Sequence, residues 1–335
     1  MSKITVLGSG GWGTALAVMA AKKGHHVTLW SPFDYEITAL ESDNENKKYL
    51  PGVAIPKNII LTSEIKNGAA AELYIIASPS FAVRETAKKL RGVIANGAVT
   101  VNVAKGLEKD TLLRMSQVIE DELPEVKAVT LSGPSHAEEV ALGVPTSIVA
   151  ASKDKTAAEY VQDTLMNDAL RIYTSDDIIG VELGGMLKNV IALAAGVTDG
   201  LGLGDNSKAA LITRGLTEIA RLGVKMGAKR DTFAGLTGLG DLVVTCTSMH
   251  SRNRRFGILV GQSVPANEAL KQIGMTVEGY HATENAYALA EREDVEMPIT
   301  EQCYSILYKG TMPRDAIRNL MGRPKKHENE QTWLV

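Results

Sequence analysis

The sequence predicts an α/β fold: a doubly wound, Rossmann-type parallel sheet domain at the N-terminal end, followed by an all-α C-terminal domain. Three observations carry this expectation. Short β-type runs alternate with amphipathic stretches through the first half. A glycine-rich turn follows the first run and opens a helical segment. Beyond about residue 180, strand signals give way to helix-type spacing.

Residues 4–7, 27–30, 73–77, 99–103 and 128–131 are short, apolar and mostly rich in β-branched side chains, as strands buried on both faces require. Residues 14–23, 82–91 and 112–122 lie between them with amphipathic spacing. That order implies parallel strands joined by right-handed crossovers. Residues 147–151 and 170–173 are further strands that extend the sheet. Helix-type spacing then occupies residues 182–195, 207–226, 252–261, 282–292 and 300–308. Glycine-rich joints at 200–204 and 235–240 separate these helices and supply backbone freedom. The expected division is a dinucleotide-binding domain over 1–179 and a helical substrate and catalytic domain over 180–335. The polar tail at 325–331 is expected to fray.

A chain of 335 residues is long enough for two domains with their own cores. Hydrophobic residues at 44% and charged residues at 22% exclude wholesale disorder and a fibrous repeat. A net charge of −3 argues against nucleic acid as the main partner, because a phosphate backbone calls for a basic excess. Cys246 and Cys303 lack the spacing of zinc or redox pairs and read as reduced core thiols. The first residues enter a strand pattern without a leader-like apolar region, and no run approaches eighteen uninterrupted apolar residues. The expected compartment is the cytoplasm, without membrane insertion.

The most specific local signal is Gly8-Ser9-Gly10-Gly11-Trp12-Gly13, a G-x-G-x-x-G turn placed between a strand and a helix. Gly8 permits the tight turn, Gly10 lets a pyrophosphate approach the backbone, and Gly13 lets the helix pack on the strand. The helix N-terminus then meets the negative charge. The acidic residue that binds the adenine ribose is expected at the end of the second strand, where the chain reads Trp30-Ser31-Pro32-Phe33-Asp34. No carboxylate stands at the strand end itself. Asp34 precedes the helical run 35–41, a position that suits an N-cap better than a ribose ligand.

In the second half, Gly184, Gly185, Lys188, Ala192, Ala195 and Gly196 gather on one side of a helix at 100° per residue. Lys188 therefore projects from a face with little bulk. Two readings stand: close helix packing with an edge lysine, or a lysine facing a cleft, where burial lowers its pKa toward acid–base work. Asp241, after Gly238-Leu239-Gly240, has the placement of a helix cap. Ser251-Arg252-Asn253-Arg254-Arg255 opens a helix with hydroxyl, amide and guanidinium groups, which suits a phosphate; a solvated basic face explains the same run equally well.

Taken together these segments resemble the bacterial soluble NAD(P)-dependent glycerol-3-phosphate dehydrogenases. The strings that carry the resemblance are G-S-G-G-W-G at 8–13, A-K-G-L-E at 104–108 and S-G-P-S-H-A at 132–137. They continue with K-N-V-I-A at 188–192, G-D-N-S-K-A-A at 204–210, G-L-G-D-L at 238–242 and S-R-N-R-R-F-G at 251–257. They follow the family order over almost the whole chain.

The resemblance implies reversible reduction of dihydroxyacetone phosphate to sn-glycerol 3-phosphate for glycerophospholipid synthesis, with NAD or NADP both usable and no metal. It implies Lys188 as proton donor to the carbonyl oxygen and acceptor in reverse. Lys105 and Asn189 would hold and polarise the substrate, Asp241 and Thr245 would complete the polar pocket, and Gly133 and Ser135 would approach the substrate. Arg252 and Asn253 would bind phosphate with Ser251 beside them. Lys105, Gly11, Trp12, Ala137, Arg252 and Glu278 would touch the cofactor, alongside Gly8, Gly10 and Gly13.

A homodimer is compatible with the resemblance. The chain departs from the pattern near Ser31 to Phe33, where many members carry an arginine, so the preference between NADH and NADPH stays open. His136, where a bulky apolar residue is frequent, is expected to pack near the nicotinamide without a catalytic role. The rival readings are another two-domain dehydrogenase, acting on a hydroxy acid or an acyl thioester, and a non-catalytic NAD(H) sensor. The phosphate-suited Arg252 and Asn253 weigh against the first, and the Lys105, Lys188, Asn189 and Asp241 set weighs against the second.

Overall fold

A computed structural model of the chain describes residues 1–325, 327 and 328. The first part runs β1 (Lys3–Leu7), α1 (Gly11–Lys22), β2 (His26–Trp30), α2 (Asp34–Asp43), β3 (Glu45–Asn46), β4 (Leu50–Ala54) and β5 (Ile59–Thr62). It continues with β6 (Leu73–Ile76), α3 (Val83–Leu90), β7 (Val99–Asn102), α4 (Met115–Glu122), β8 (Lys127–Ser132), α5 (Ala137–Ala141), β9 (Thr146–Ala151), α6 (Lys155–Leu165) and β10 (Leu170–Ser175). Helices follow: α7 (Ile178–Gly200), α8 (Asp205–Lys225), α9 (Arg230–Ala234), α10 (Asp241–Thr247), α11 (Arg252–Gly261), α12 (Ala266–Ile273), α13 (Glu278–Glu293), α14 (Pro298–Lys309) and α15 (Pro313–Met321). The expectation for the tail at 325–331 falls for the most part on residues outside those described.

Eight strands form one sheet in the order β10-β9-β8-β7-β6-β1-β2-β5. The chain moves outward from β1 to β2 and then returns to β6 on the other side of β1, which opens a crevice at the C-terminal end of β1. The sheet is parallel from β5 through β8, with Leu7 opposite Trp30 on one side and Ile76 on the other.

The parallel sheet expected from the sequence forms the body of the domain, and one strand pair at its far side departs from it. β9 pairs with β8 antiparallel, and β10 runs alongside β9. Only residues 133–145 join β8 to β9, and their one helix, α5, has five residues. Thirteen residues meet the dozen that a parallel crossover needs. A five-residue helix, however, rises only about 8 Å and does not carry the chain back along a strand of about 20 Å, so the chain turns back instead. The segment expected as a helix over 112–122 begins later, at Met115, because Leu112 adopts φ +56° and Leu113 pairs with Glu108 in a turn.

The cores are separate. One lies under the sheet around Val6, Leu16, Leu29, Ile75, Val101 and Ile148. Another surrounds α7 with Leu187, Ile191, Ile219, Phe233 and Phe256. α7 has the length and hydropathy of a membrane span, yet 94% of its most apolar stretch is buried within the protein, as for the central helix of a bundle. α11 crosses it at very close range: a Cβ on Gly196 would come 2.1 Å from the Arg254 carbonyl oxygen, and one on Gly257 2.1 Å from that of Leu193. The small-residue face recognised around Lys188 therefore serves packing along much of its length. A buried ion pair ties this helix to the sheet half. Arg114 Nη1 donates to Glu182 Oε2 at 2.5 Å, and the Ser116 amide and hydroxyl donate to the same carboxylate. Cys246 and Cys303 are buried free thiols, each pushed up to about 12 by burial.

Candidate active site

The two halves meet at the C-terminal ends of β7 and β8. Lys105 follows β7 by three residues and Gly133 follows β8 directly. Gly133 adopts φ +135°, which turns its carbonyl toward the Lys105 ammonium at 2.9 Å. Lys105 Nζ also donates to Ser135 Oγ at 3.5 Å and to Asp241 Oδ2 at 2.6 Å. From the other side, Lys188 Nζ donates to Asp241 Oδ1 at 2.7 Å and to Thr245 Oγ1 at 2.5 Å. Thr245 sits one turn after Asp241 on α10 and gives its hydroxyl proton to the Asp241 carbonyl at 2.6 Å. One carboxylate therefore bridges two ammoniums contributed by different halves of the chain. The cluster retains one net positive charge from two cations and one anion.

Burial shapes the titration of this cluster. Lys188 is 6% exposed, and burial pushes its ammonium down to about 8, against the opposing attraction of Asp241. Burial alone would raise the Asp241 carboxyl; Lys105 and Lys188 together hold it below the usual carboxylate range. Asp241 thus fills no cap, in contrast to its expected placement: it is the first residue of α10 and its side chain is spent on the lysines.

A second string of amides runs behind Lys188. Asn253 Nδ2 donates to Asn189 Oδ1 at 2.9 Å, and Asn253 Oδ1 accepts from the Gly279 amide at 2.8 Å. These bonds lock α7, α11 and the start of α13. Ser251 Oγ caps α11 by accepting from the Arg254 amide at 3.2 Å. The run of arginines resolves into separate tasks. Arg254 Nε is bound to Asp199 Oδ2 at 2.8 Å, beside the Lys208–Asp199 pair. Arg252 is exposed and has no hydrogen bond or ion pair among the described residues, which leaves its guanidinium available to an anion.

On the sheet side, Gly8 adopts φ +123°, and a Cβ there would strike the Ala77 backbone at 2.8 Å. α1 begins at Gly11 with no side-chain cap, and a Cβ on Gly10 would meet nothing within 4 Å. Uncapped first-turn amides beside open space fit the pyrophosphate of a dinucleotide. Gly11 lies against the Tyr49 carbonyl and near Ala137 at the start of α5, while Trp12 packs on the sheet core. Glu278 opens α13; burial pushes its carboxyl up, and Ser80 Oγ donates to its Oε2 at 3.1 Å. Ser80 was not identified from the sequence.

His136 lies beside the lysines with its Nε2 buried and without a hydrogen-bond partner among the described residues, and its ring stands 5.7 Å from that of His250. Burial, then the neighbouring Lys188, pushes it below the ordinary histidine range. The carboxylate missing from the second strand end is supplied one turn later. Asp34 is the first residue of α2 and caps nothing; Phe33 holds the cap position. Glu36 Oε2 accepts from Ser31 Oγ at 2.6 Å and from Ser9 Oγ at 2.5 Å, so a carboxylate does stand between the glycine turn and the end of β2.

Comparison with known proteins gives one consistent result. The family models for the NAD-dependent glycerol-3-phosphate dehydrogenase N-terminus and C-terminus match residues 3–158 and 177–318. A glycerol-3-phosphate dehydrogenase (NAD(P)+) of Moorella thermoacetica is 54% identical over 328 residues, covering 98% of each chain. One from Clostridium perfringens strain SM101 is 52% identical over 329 residues, covering 98% of this chain and 99% of that one. The crystal structure of a glycerol-3-phosphate dehydrogenase from Coxiella burnetii superposes with a TM-score of 0.93 at 40% identity, covering 96% of this chain and 99% of that one.

Proposed function

The chain belongs to the NAD-dependent glycerol-3-phosphate dehydrogenase family, and on that premise we propose how its residues divide the work of the reaction. That reaction is the NAD(P)H-dependent reduction of dihydroxyacetone phosphate to glycerol 3-phosphate. The observation that carries the assignment of roles is the Lys105–Asp241–Lys188 bridge at the ends of β7 and β8.

When bound along the Gly8–Gly13 turn, the reduced dinucleotide supplies hydride to the substrate carbonyl carbon. Lys188 Nζ gives a proton to the carbonyl oxygen as negative charge grows there, and takes it back in the reverse direction. Its pKa near 8 supports this, because the protonated and neutral forms then lie within reach at neutral pH. Asp241 and Thr245 hold the ammonium in place, and Lys105 adds the second positive charge that polarises the carbonyl. Arg252, with Asn253 and Ser251 at the start of α11, takes the substrate phosphate. Asn189, Gly133 and Ser135 line the substrate, and Ala137 and Glu278 border the dinucleotide. Anchoring at the phosphate converts binding energy into orientation at a remote carbon.

The same reading assigns residues 1–179 to the dinucleotide and 180–335 to substrate and catalysis, although α7 begins at Ile178, just before that division. It makes the enzyme a cytoplasmic homodimer that supplies phospholipid synthesis. Initial rates of NADH and NADPH oxidation with dihydroxyacetone phosphate, glyceraldehyde 3-phosphate and unphosphorylated dihydroxyacetone test it. Turnover should be confined to the first. Equal rates with dihydroxyacetone would overturn the phosphate assignment.

A further inference from the structure

We propose that Glu36 is a specificity-determining residue for the dinucleotide: its carboxylate takes the adenine-ribose hydroxyls and disfavours a 2′-phosphate, so that NADH binds more tightly than NADPH. The inference rests on the reading that the dinucleotide lies over the Gly8–Gly13 turn.

Three features converge at this corner. In an open sheet with a switch at β1, a dinucleotide crosses the C-terminal strand ends with its adenosine half over β2. Ser9 belongs to the glycine turn and Ser31 directly follows β2; a carboxylate bonded to both hydroxyls must lie between those two segments. Both hydroxyls converge on Oε2, which leaves Oε1 without a hydrogen-bond partner among the described residues. An ionised carboxylate has only acceptor capacity, so the free oxygen matches the donors of an unmodified ribose and opposes the charge of a phosphorylated one.

The surroundings hold the carboxylate in position. Asn46 Nδ2 donates to the Ser9 carbonyl at 2.7 Å and to Thr14 Oγ1 at 2.8 Å, which fixes the turn that carries Ser9. Ser31 is fully buried, so its hydroxyl is spent on Glu36 and is not offered to a ligand. One cation stands close by: Lys48, exposed over the Tyr49 ring at 4.6 Å, is near enough to sense the charge of Glu36. It offsets part of the repulsion, so NADPH is weakened and still used.

Calorimetric titration of the full chain with NADH, NADPH, ADP-ribose and 2′-phospho-ADP-ribose tests the inference, the last two without any turnover. Wild-type protein should bind each unphosphorylated ligand about tenfold or more tightly than its 2′-phosphorylated partner, and that ratio should shrink as salt rises. Glu36→Gln keeps the shape and removes the charge; it should collapse the ratio by about tenfold and remove the salt dependence that favours the unphosphorylated ligands, leaving only the opposite contribution of Lys48. A carboxylate that only tied Ser9 to Ser31 would, on replacement, weaken all four ligands together and leave the ratio intact, which would overturn the proposal. Equal wild-type affinities would overturn it without recourse to any variant. Failure of the wild type to bind any of the four would instead overturn the dinucleotide reading of the glycine turn, and this inference with it.

Discussion

Lys188 Nζ stands 2.7 Å from Asp241 Oδ1, with both side chains buried. The partners come from α7 and α10 and lie 53 residues apart in the chain. A buried ammonium with one carboxylate partner is held between two tendencies: burial favours its neutral form, and the anion favours its charged form. Here burial prevails in part, and the result is an acid near 8 at the meeting point of the two halves.

If Lys188 is the proton donor, Lys188→Met should lower kcat by roughly a hundredfold to ten-thousandfold while dinucleotide affinity stays near normal. The pH profile gives the sign. Reduction needs the protonated lysine, so its kcat should fall as pH rises through about 8; oxidation of glycerol 3-phosphate needs the neutral amine and should rise through the same range. Lys188→Met should lack both limbs. Retention of more than a third of wild-type kcat, with chemistry limiting, would remove lysine from the role.

Asp241→Asn addresses the other partner. It leaves two ammoniums facing one another across a neutral amide in a buried site. Loss of one member of a buried pair ordinarily costs about 3–5 kcal/mol, and Lys105, at its more exposed position, can relax into solvent. Destabilisation by a few kcal/mol in denaturant unfolding, together with a further drop in the Lys188 pKa, is the expected outcome. Unchanged stability and an unchanged pH profile would mean that the bridge is incidental.

Arg252→Ala should weaken dihydroxyacetone phosphate far more than dihydroxyacetone, since only the former offers a dianion to a guanidinium fork. Arg252 is exposed and makes no hydrogen bond or ion pair among the described residues, which makes this a clean test. Competition by inorganic phosphate should weaken in parallel. An equal loss for both substrates would place Arg252 with the fold or the dinucleotide.

How far the sequence carried depends on the range of each signal. The turn at 8–13 and the small-residue face around Lys188 are local, and both were legible because strand and helix periodicities place side chains without knowledge of the rest of the chain. The direction of β9 was not, since alternation and apolar runs have no polarity; the lack of a long helical run within 133–145 was the usable clue. Asp241 looked like a cap because its partner Lys105 is 136 residues away. Ser80 and Glu278 are 198 residues apart, and nothing in either neighbourhood announces the other. Glu36 was not legible because Ser31 to Phe33 offer no carboxylate at the strand end, and only the fold shows that the helix that follows brings its first turn back over it.

Glu218 on α8 is 4% exposed and accepts the Ile299 amide on Oε1 at 2.7 Å and the Thr300 amide on Oε2 at 3.3 Å, so it caps α14 from a neighbouring helix. Burial pushes its carboxyl up to about 7, with the two amides opposing. In the unfolded chain the same group titrates near 4.5. Between those values the folded protein binds the extra proton, so stability should fall as pH rises from about 4.5 to about 7 and then level off. Glu218→Gln removes that titration; part of the cap remains, because the amide oxygen still accepts from one of the two backbone amides. Urea unfolding of both proteins across pH 5 to 8 checks this, with the difference in stability between them changing by about 1–3 kcal/mol over the window in favour of the glutamine variant at high pH. A difference that stays flat with pH would show that Glu218 is ionised throughout, held so by its two amide donors.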